Sequence, residues 1–507
     1  MSFSSLFSAE LRQTLATYHQ EHLLKYVDAD QVTEEEAKKL LAQLNKIDFH
    51  RLQSIYDTTM EAAKAPQGEI KLEPLDNIAN FEKMSENEAD NYWKIGLEAA
   101  LKGEVAVMLM AGGQGTRLRS DLPKGEYDID LPSHKSLFQM QAERILRVQN
   151  LVSIQYQCPC VIPWYIMTSP MTDGPSKEFF EEHNYFGLSR DQVYWFQQGT
   201  LPCIGNDQKI IMSKKYEIAT APDGNGGMYM SMHLNGVIDD MKKRGVQYLQ
   251  IYGVDNAVVK IPDLCFIGYS ISINAQVGGM CVAKNYPEEK VGVICKKNGK
   301  YNIVEYSEID PETAALRKPD GELVYSAGYI CNSFYTVDFL DQKCSPKTLS
   351  RVYHIANKAI PYYDEATDST VKPTSNNGIK LESFIFDVFP SADRVSAIIK
   401  GRCEFTPIKN APGSKVDTPE IARDILLTSE RNWLKAAGAI VQEDGIYEVS
   451  PLVSFKGEGL EVFKGITLAS PCQIIRSRDN RKANECDVIS EHIKHYVEDG
   501  CDFYIVN

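Results

Sequence analysis

The chain predicts an α/β protein. We expect a doubly wound, largely parallel sheet with helices on both faces, an N-terminal helical segment and a smaller C-terminal α+β domain. Three observations carry this. Apolar runs alternate with amphipathic stretches from residue 102 to about 400. One of those runs, Val105 to Ala111, is seven apolar residues long and ends on Gly112, Gly113 and Gly115, the pattern of a strand buried on both faces. The residues before 100 carry helical periodicity instead. The expected division is 1–100 helical, 101–410 the main sheet domain and 411–507 the C-terminal domain.

Taken in order, Thr33-Glu34-Glu35-Glu36 forms a capping box, and Leu40, Leu41, Leu44 and Ile47 follow at helical spacing. A helical layer packed on the rest of the protein is favoured over a docking module. Pro66-Gln67-Gly68 marks a break, and Tyr92 to Leu101 reads as a helix leading into the central strand. Further strands are expected at Val161–Met167, Tyr248–Val254 and Gly279–Ala283. Further helices are expected at Ser136–Gln149, Lys177–His183, Gly236–Arg244 and Pro419–Ala436. No internal repeat or low-complexity tract is visible.

Composition excludes several classes. The 507 residues are 43% apolar and 24% charged, values of an ordinary globular protein with ample core. No apolar run approaches the ~18 residues of a membrane span, and MSFSSLFSAELRQTL has no signal-peptide layout. The 12 cysteines are scattered, with only the C-P-C of Cys158 and Cys160 close together, so reduced thiols in the cytoplasm are expected. A net charge of −15 argues against a nucleic-acid partner. An anionic substrate therefore needs a local cluster of cations.

The stretch after Val105–Met110 supplies one. Gly112, Gly113 and Gly115 let a phosphate approach bare backbone amides, Arg117 follows, and Lys124 arrives in Pro123-Lys124-Gly125. The dinucleotide fingerprint G-x-G-x-x-G fails, because counting from Gly113 its last position is Leu118. The Walker pattern fails for want of a closing Gly-Lys-Ser/Thr. A plain glycine turn is the competing reading. Asp255-Asn256 ends another strand-like run and should share the rim of the sheet with this loop. A hard cation such as Mg²⁺ would choose the Asp255 carboxylate, although a D-N pair after a strand also reads as a simple turn.

With A-G-G-Q-G-T-R-L followed by P-K-G, the chain resembles the nucleotide-sugar pyrophosphorylases, specifically the eukaryotic UDP-N-acetylhexosamine pyrophosphorylases. The resemblance extends through Trp195-Phe196-Gln197-Gln198-Gly199, Pro222-Asp223-Gly224-Asn225-Gly226-Gly227, Val304-Glu305-Tyr306-Ser307-Glu308, Asn377-Gly378-Ile379-Lys380, Phe384-Ile385-Phe386-Asp387, Thr406-Pro407-Ile408-Lys409-Asn410 and Ser450-Pro451-Leu452-Val453-Ser454, about residues 90 to 465. It implies a Rossmann-like nucleotidyltransferase sheet. It assigns UTP contacts to Met110, Ala111, Gly112, Gly113, Lys124, Gln198, Gly224, Asp255 and Lys380. Sugar contacts fall to Asn225, Glu305, Tyr306, Tyr329, Phe384, Phe386 and Lys409, with Phe384 and Phe386 expected to alternate on a strand as an apolar wall. Arg117, Lys124 and Lys409 are the implied catalytic residues, and Asp255 the ligand of Mg²⁺ or Mn²⁺.

The implied reaction joins UTP and N-acetylglucosamine 1-phosphate, with N-acetylgalactosamine 1-phosphate as a second candidate, to give UDP-sugar and pyrophosphate. Neither nucleic acid nor membrane is expected as a partner, and a homodimer is compatible with the resemblance. Two departures stand out. The family's glycine after G-T-R-L is Arg119 here, and its A-G-N-I-x-N-H is Ala327-Gly328-Tyr329-Ile330-Cys331-Asn332-Ser333. Tyr329 replaces an asparagine that contacts the sugar, which keeps open a related pyrophosphorylase of different or broader sugar range. A non-catalytic nucleotide-sugar sensor is the third reading.

Overall fold

The structure is a computed structural model that describes the chain except residues 1–2, 65–69, 76–77, 346–347, 349–352, 477–492, 499–500 and 507. The break expected at Pro66–Gly68 lies outside the described residues. The chain folds into two compact units. One comprises residues 1–71, 198–235 and 340–390; the other comprises 72–197, 236–339 and 391–507.

The second, larger unit contains the expected sheet. Its main strands are β1 (Ile78–Asn80), β2 (Val105–Met110), β3 (Trp164–Thr168), β4 (Val193–Gln197), β5 (Tyr248–Gly253), β6 (Val277–Ala283), β7 (Ala327–Thr336) and β8 (Val395–Lys400). They lie in the spatial order β1-β8-β6-β7-β5-β2-β3-β4, and a hairpin, Val293–Lys297 with Lys300–Val304, extends the same 11-stranded sheet. Every pairing along that path is parallel except the two made by β7, which runs against β5 and β6. Residues from Val105 to Leu109 are at most 1% exposed, so β2 has no solvated face, as its unbroken apolar sequence requires.

Helices α1 (Glu86–Leu101), α2 (Leu137–Tyr156), α3 (Asp173–Glu182), α4 (Leu264–Ser272) and α5 (Pro419–Ala436) belong to the same unit. Val105, Val107 and Leu109 pack in one core with Leu97 and Ala100 of α1, Phe138, Ile145 and Val148 of α2, and Leu264 and Ile267 of α4. Helices α1 and α4 cross closely enough that a Cβ on Gly96 would lie 2.2 Å from the Leu264 carbonyl oxygen. Beyond α5, Tyr447–Val449, Cys472–Arg476 and two further strands form a four-stranded sheet, with Leu434, Tyr447, Leu460 and Phe463 in its core.

In the first unit, the helices Ala9–Thr17, Glu34–Leu44 and Phe49–Lys64 pack on small antiparallel sheets. The capping box is formed: Thr33 N donates to Glu36 Oε2 at 2.8 Å, and Glu36 N donates to Thr33 Oγ1 at 3.3 Å. Leu40, Leu44, Leu52 and Ile55 share a core with Ile204, Ile210, Met212 and Leu381, so this face is a packed layer.

Candidate active site

In the larger unit, the strand register brings the glycine loop and Asp255 to one rim. Parallel β2 and β5 pair Met110 with Gly253, so Ala111–Gly113 and Val254–Asn256 leave the sheet side by side. Ala111 is anchored at the exit, its N–H donating to the Met167 carbonyl at 2.7 Å and its carbonyl accepting from Thr172 Oγ1 at 3.2 Å. The loop then folds back on itself. Gly115 N donates to Leu122 O at 3.0 Å and Lys124 N to Gly113 O at 3.2 Å, which sets Lys124 opposite the glycines. Among the described residues, the N–H groups of Gly112 and Gly113 meet no acceptor, which suits an anion.

A second clamp brings in Lys409. Ile408 N donates to Asp255 O at 2.9 Å, Thr406 N to Asn256 Oδ1 at 3.1 Å, and Asn256 Nδ2 to Glu404 O at 3.1 Å. The Lys124 ammonium thus faces Asp255, Lys409 and Arg117. Burial pushes its pKa down and Asp255 raises it, while Lys409 and Arg117 lower it further. Three cations and one carboxylate leave two positive charges in excess, in a chain that carries −15 in total. Asn256 is 6% exposed, and nothing in the sequence beyond its place after a strand signals its clamping role.

Arg119 closes the short turn Thr116–Leu118 with φ 61° and ψ 32°, the left-handed region that favours glycine. Nearby, a Cβ on Gly125 would lie 2.1 Å from the Phe138 ring, and Glu126 Oε1 is buried without a partner. Burial, with Glu182 adding to it, pushes the Glu126 carboxyl up to about 7.

Tyr329 sits within β7, 9% exposed, with Oη 2.5 Å from Ser333 Oγ. Opposite β6, Tyr329 pairs with Cys281 and Ser333 with Gly279, so four steps on β7 answer two on β6. The excess is a bulge, and Cys331 inside it takes φ 56°. Cys331 faces Asp255 and Lys409, and burial pushes its thiol up to about 12. Tyr306 is 44% exposed on the connection after Lys300–Val304, and burial raises the Glu305 carboxyl, with Glu308 contributing.

The smaller unit holds the remaining residues. Gly224 has φ 84°, and a Cβ there would lie 2.1 Å from Ser383 O, so only glycine fits. Asn225 Oδ1 accepts from Ile385 N at 2.9 Å, and Gly226 N donates to Ser383 O at 2.9 Å, which binds the 223–226 turn to 383–385. Phe384 and Phe386 do not alternate on a strand: Gly378–Glu382 ends before them, and they lie in a turn closed by Phe384 N to Asp387 Oδ2 at 2.7 Å. Curling back puts both rings on one side, stacked at 5.4 Å, with His354 against Phe384 at 4.8 Å. Lys380 lies on Gly378–Glu382, and its charge reaches Cys203. Gln198 is half-buried beside Gly199, whose N–H donates to Ser231 Oγ at 2.8 Å.

Residues 47–466 match the model of the family described as UTP–glucose-1-phosphate uridylyltransferase, so the likeness begins well before residue 90. A UDP-N-acetylglucosamine pyrophosphorylase of Saccharomyces cerevisiae is 44% identical over 457 residues, covering 89% of this chain and 93% of that protein. A UDP-N-acetylhexosamine pyrophosphorylase-like protein 1 of Xenopus tropicalis is 42% identical over 460 residues, covering 86% and 90%. The crystal structure of the uridine diphosphate N-acetylglucosamine pyrophosphorylase of Trypanosoma brucei superposes with a TM-score of 0.77 at 30% identity, covering 88% and 93%. The chain belongs to the UTP–glucose-1-phosphate uridylyltransferase family, in its branch of UDP-N-acetylhexosamine and UDP-N-acetylglucosamine pyrophosphorylases.

Proposed function

We propose that the chain is a cytoplasmic uridylyltransferase that converts UTP and N-acetylglucosamine 1-phosphate to UDP-N-acetylglucosamine and pyrophosphate. The observation that carries the reading is the convergence of bare glycine amides, Arg117, Lys124, Lys409 and Asp255 on one rim of the sheet. Mere recognition of a nucleotide would not require three cations beside a carboxylate.

The nucleophile is the phosphate of the sugar itself, largely dianionic at neutral pH because its second pKa is near ~6, so no general base is required. What remains is to align two anions and stabilise charge passing to the leaving pyrophosphate. In this reading the amides of Gly112 and Gly113 and the Arg117 guanidinium hold the terminal phosphates of UTP. Lys124 and Lys409 neutralise charge around the α-phosphate, with Lys380 assigned to a further phosphate contact. Gln198 and Gly224 take the uracil, for which an amide supplies both a donor and an acceptor. Asn225, Glu305, Tyr306, Tyr329, Phe384 and Phe386 are assigned to the sugar.

Among the described residues no three His, Cys, Asp or Glu side chains group as metal ligands. Asp255 is a single carboxylate at the rim, which fits Mg²⁺, an ion commonly held by one or two carboxylates together with phosphates and water. When bound there, the ion would withdraw charge from the phosphates. A panel assay tests the reading: UTP, Mg²⁺ and each sugar 1-phosphate are supplied and pyrophosphate release is measured. N-acetylglucosamine 1-phosphate is expected to give the fastest release. Preference for another sugar would favour a pyrophosphorylase of altered range, which Tyr329 motivates, and no release with any sugar would overturn the enzymatic reading.

A further inference from the structure

Glu404 lies just before the Thr406–Asn410 block and has no part in the reaction scheme, yet it touches both ends of the turn that follows Asp255. Its carbonyl accepts from Asn256 Nδ2 at 3.1 Å, and its Oε1 accepts from Lys260 Nζ at 3.2 Å. One residue of a distant segment thus spans the stretch 256–260, which is itself closed by Val259 N donating to Asn256 O at 3.3 Å. A second ion pair stands behind Glu404. Lys400 Nζ lies 2.8 Å from Asp263 Oδ2 and 3.9 Å from Glu404 Oε2, and the side chains of Lys400 and Asp263 are only 7% and 4% exposed. Lys260, Glu404, Lys400 and Asp263 therefore form a chain in which two cations alternate with two carboxylates.

Each link is built into an element of the larger unit. Asp263 caps α4, its Oδ1 accepting from Phe266 N at 3.0 Å, and its N–H donates to Gln250 Oε1 on β5 at 2.7 Å. Gln250 Nε2 donates in turn to Lys260 O at 3.2 Å, so Lys260 is held from behind. Lys400 ends β8, its ammonium 4.4 Å from the centre of the Phe81 ring. Burial works to neutralise both members of the inner pair, and their partners overcome it. Lys400 and Lys260 hold the Asp263 carboxyl below its ordinary value, while Asp263 and Glu404 hold the Lys400 ammonium above its own. Beyond Glu404 the backbone is fastened at every second step: Thr406 N donates to Asn256 Oδ1 at 3.1 Å and Ile408 N to Asp255 O at 2.9 Å. Lys409 follows, its N–H donating to Asp417 O at 2.8 Å.

We propose that Glu404, gripped by Lys260 and Lys400, is a positioning residue that fixes the 404–409 segment against the Asp255–Asn256 turn and so sets Lys409 opposite Lys124. It rests on the reading that Lys409 serves the phosphates of the reaction. The carboxylate is the essential part: without its charge Lys260 and Lys400 repel across the place it fills, and the restraint nearest Asn256 is lost. A shift of about 1 Å at a reacting group can cost about 10²-fold in rate, so a slackened segment should show in turnover before it shows in binding. An ion-pair chain that served stability alone would instead cost the same whether or not Lys409 kept its charge.

The test uses the full-length chain as Glu404→Gln, Lys260→Met, Lys260→Arg, Lys409→Met and the double variant Glu404→Gln/Lys409→Met. Pyrophosphate release from UTP, N-acetylglucosamine 1-phosphate and Mg²⁺ gives kcat and the KM for UTP. Glu404→Gln is expected to lower kcat about tenfold while the KM for UTP stays within about threefold of wild type. Lys260→Met should lower kcat in the same way, and Lys260→Arg should restore most of the loss. Once Lys409 is Met, Glu404→Gln should cost almost nothing more, because the group it misplaces is already gone. A kcat for Glu404→Gln within about threefold of wild type, or a loss as large in the Lys409→Met background as in the wild type, would overturn the positioning role and leave the uridylyltransferase reading intact. If Glu404→Gln does not fold, the contrast between Lys260→Met and Lys260→Arg decides, equal losses in the two counting against the proposal. If the wild type releases no pyrophosphate, the uridylyltransferase reading fails, and the grip is read from amide hydrogen exchange instead. Glu404→Gln should then speed exchange in 254–260 and 404–410 while leaving α2 unchanged, and unaltered or uniformly faster exchange would overturn it.

Discussion

Replacing Lys124 by Met keeps the length of the side chain and removes its charge from the rim. The half-buried ammonium faces Asp255, Lys409 and Arg117, so the cluster falls from three cations to two against an unchanged carboxylate. Loss of one positioned donor in comparable sites costs about 10²–10³-fold in turnover. Lys124→Met should therefore lower kcat by about 10²–10³-fold in the pyrophosphate-release assay, with a smaller effect on the binding of UTP. A pH profile adds an independent check. Burial lowers the Lys124 pKa, so activity in the wild type should begin to fall below the ~10.4 of an ordinary lysine. Lys124→Arg keeps a charge that is not lost in this range, and its residual activity should lack that alkaline limb. Turnover of Lys124→Met within threefold of wild type, or an alkaline limb unchanged in Lys124→Arg, would refute the assignment.

Four further outcomes are expected. Arg119→Gly relieves a left-handed backbone worth about 1–2 kcal/mol, less the ~0.4–1 kcal/mol that glycine adds to the freedom of the unfolded chain, so urea unfolding should show a net gain of about 0.5–1 kcal/mol. Asn256→Ala removes both side-chain clamps on 404–406 and should lower kcat about tenfold or more through Lys409, with Asn256→Asp intermediate because it keeps only the acceptor. Glu126 carries a folded pKa of about 7 against an ordinary value of 4.5, so the folded state binds the extra proton between those limits; stability should fall as pH rises from 4.5 to 7, and Glu126→Gln should flatten that slope in urea unfolding at pH 5 and 8. Tyr329→Phe and Ser333→Ala each break the 2.5 Å bond across the β7 bulge and should each cost about 1–3 kcal/mol, while the double variant should cost less than their sum.

The parts of the fold that could be read from the chain were those whose pattern is local. The unbroken apolar sequence of Val105–Met110, the amphipathic α2 and the Pro419–Ala436 helix each record their burial in a short window, and each forms as expected. Other strands left weaker signals. The run Val193–Gln197 is a sheet edge with half-exposed aromatics, and β7 mixes Gly328, Asn332 and Ser333 into an otherwise apolar run. The turn carrying Phe384 and Phe386 misled for a related reason. Alternating aromatics mimic a strand, while the residue that curls them back, Asp387, acts through a backbone bond that periodicity does not encode.

The candidate site divides along the same line. Glycines, lysines and an aspartate at strand ends announce themselves, because their conformational freedom and charge are unusual where they stand. The residues that hold them in place do not: Asn256 reaches Glu404 across 148 positions. Tyr329 and Ser333 show the difference most sharply. In the sequence they are two separate departures from one motif, a large ring where an amide belongs and a hydroxyl where an imidazole belongs. In the structure the hydroxyl of one is bonded to the hydroxyl of the other across a bulge whose apex, Cys331, faces Asp255 and Lys409. The two substitutions are thus physically one. Any change in sugar range that follows from them should track the pair and the shape of the bulge, rather than the volume of Tyr329 alone.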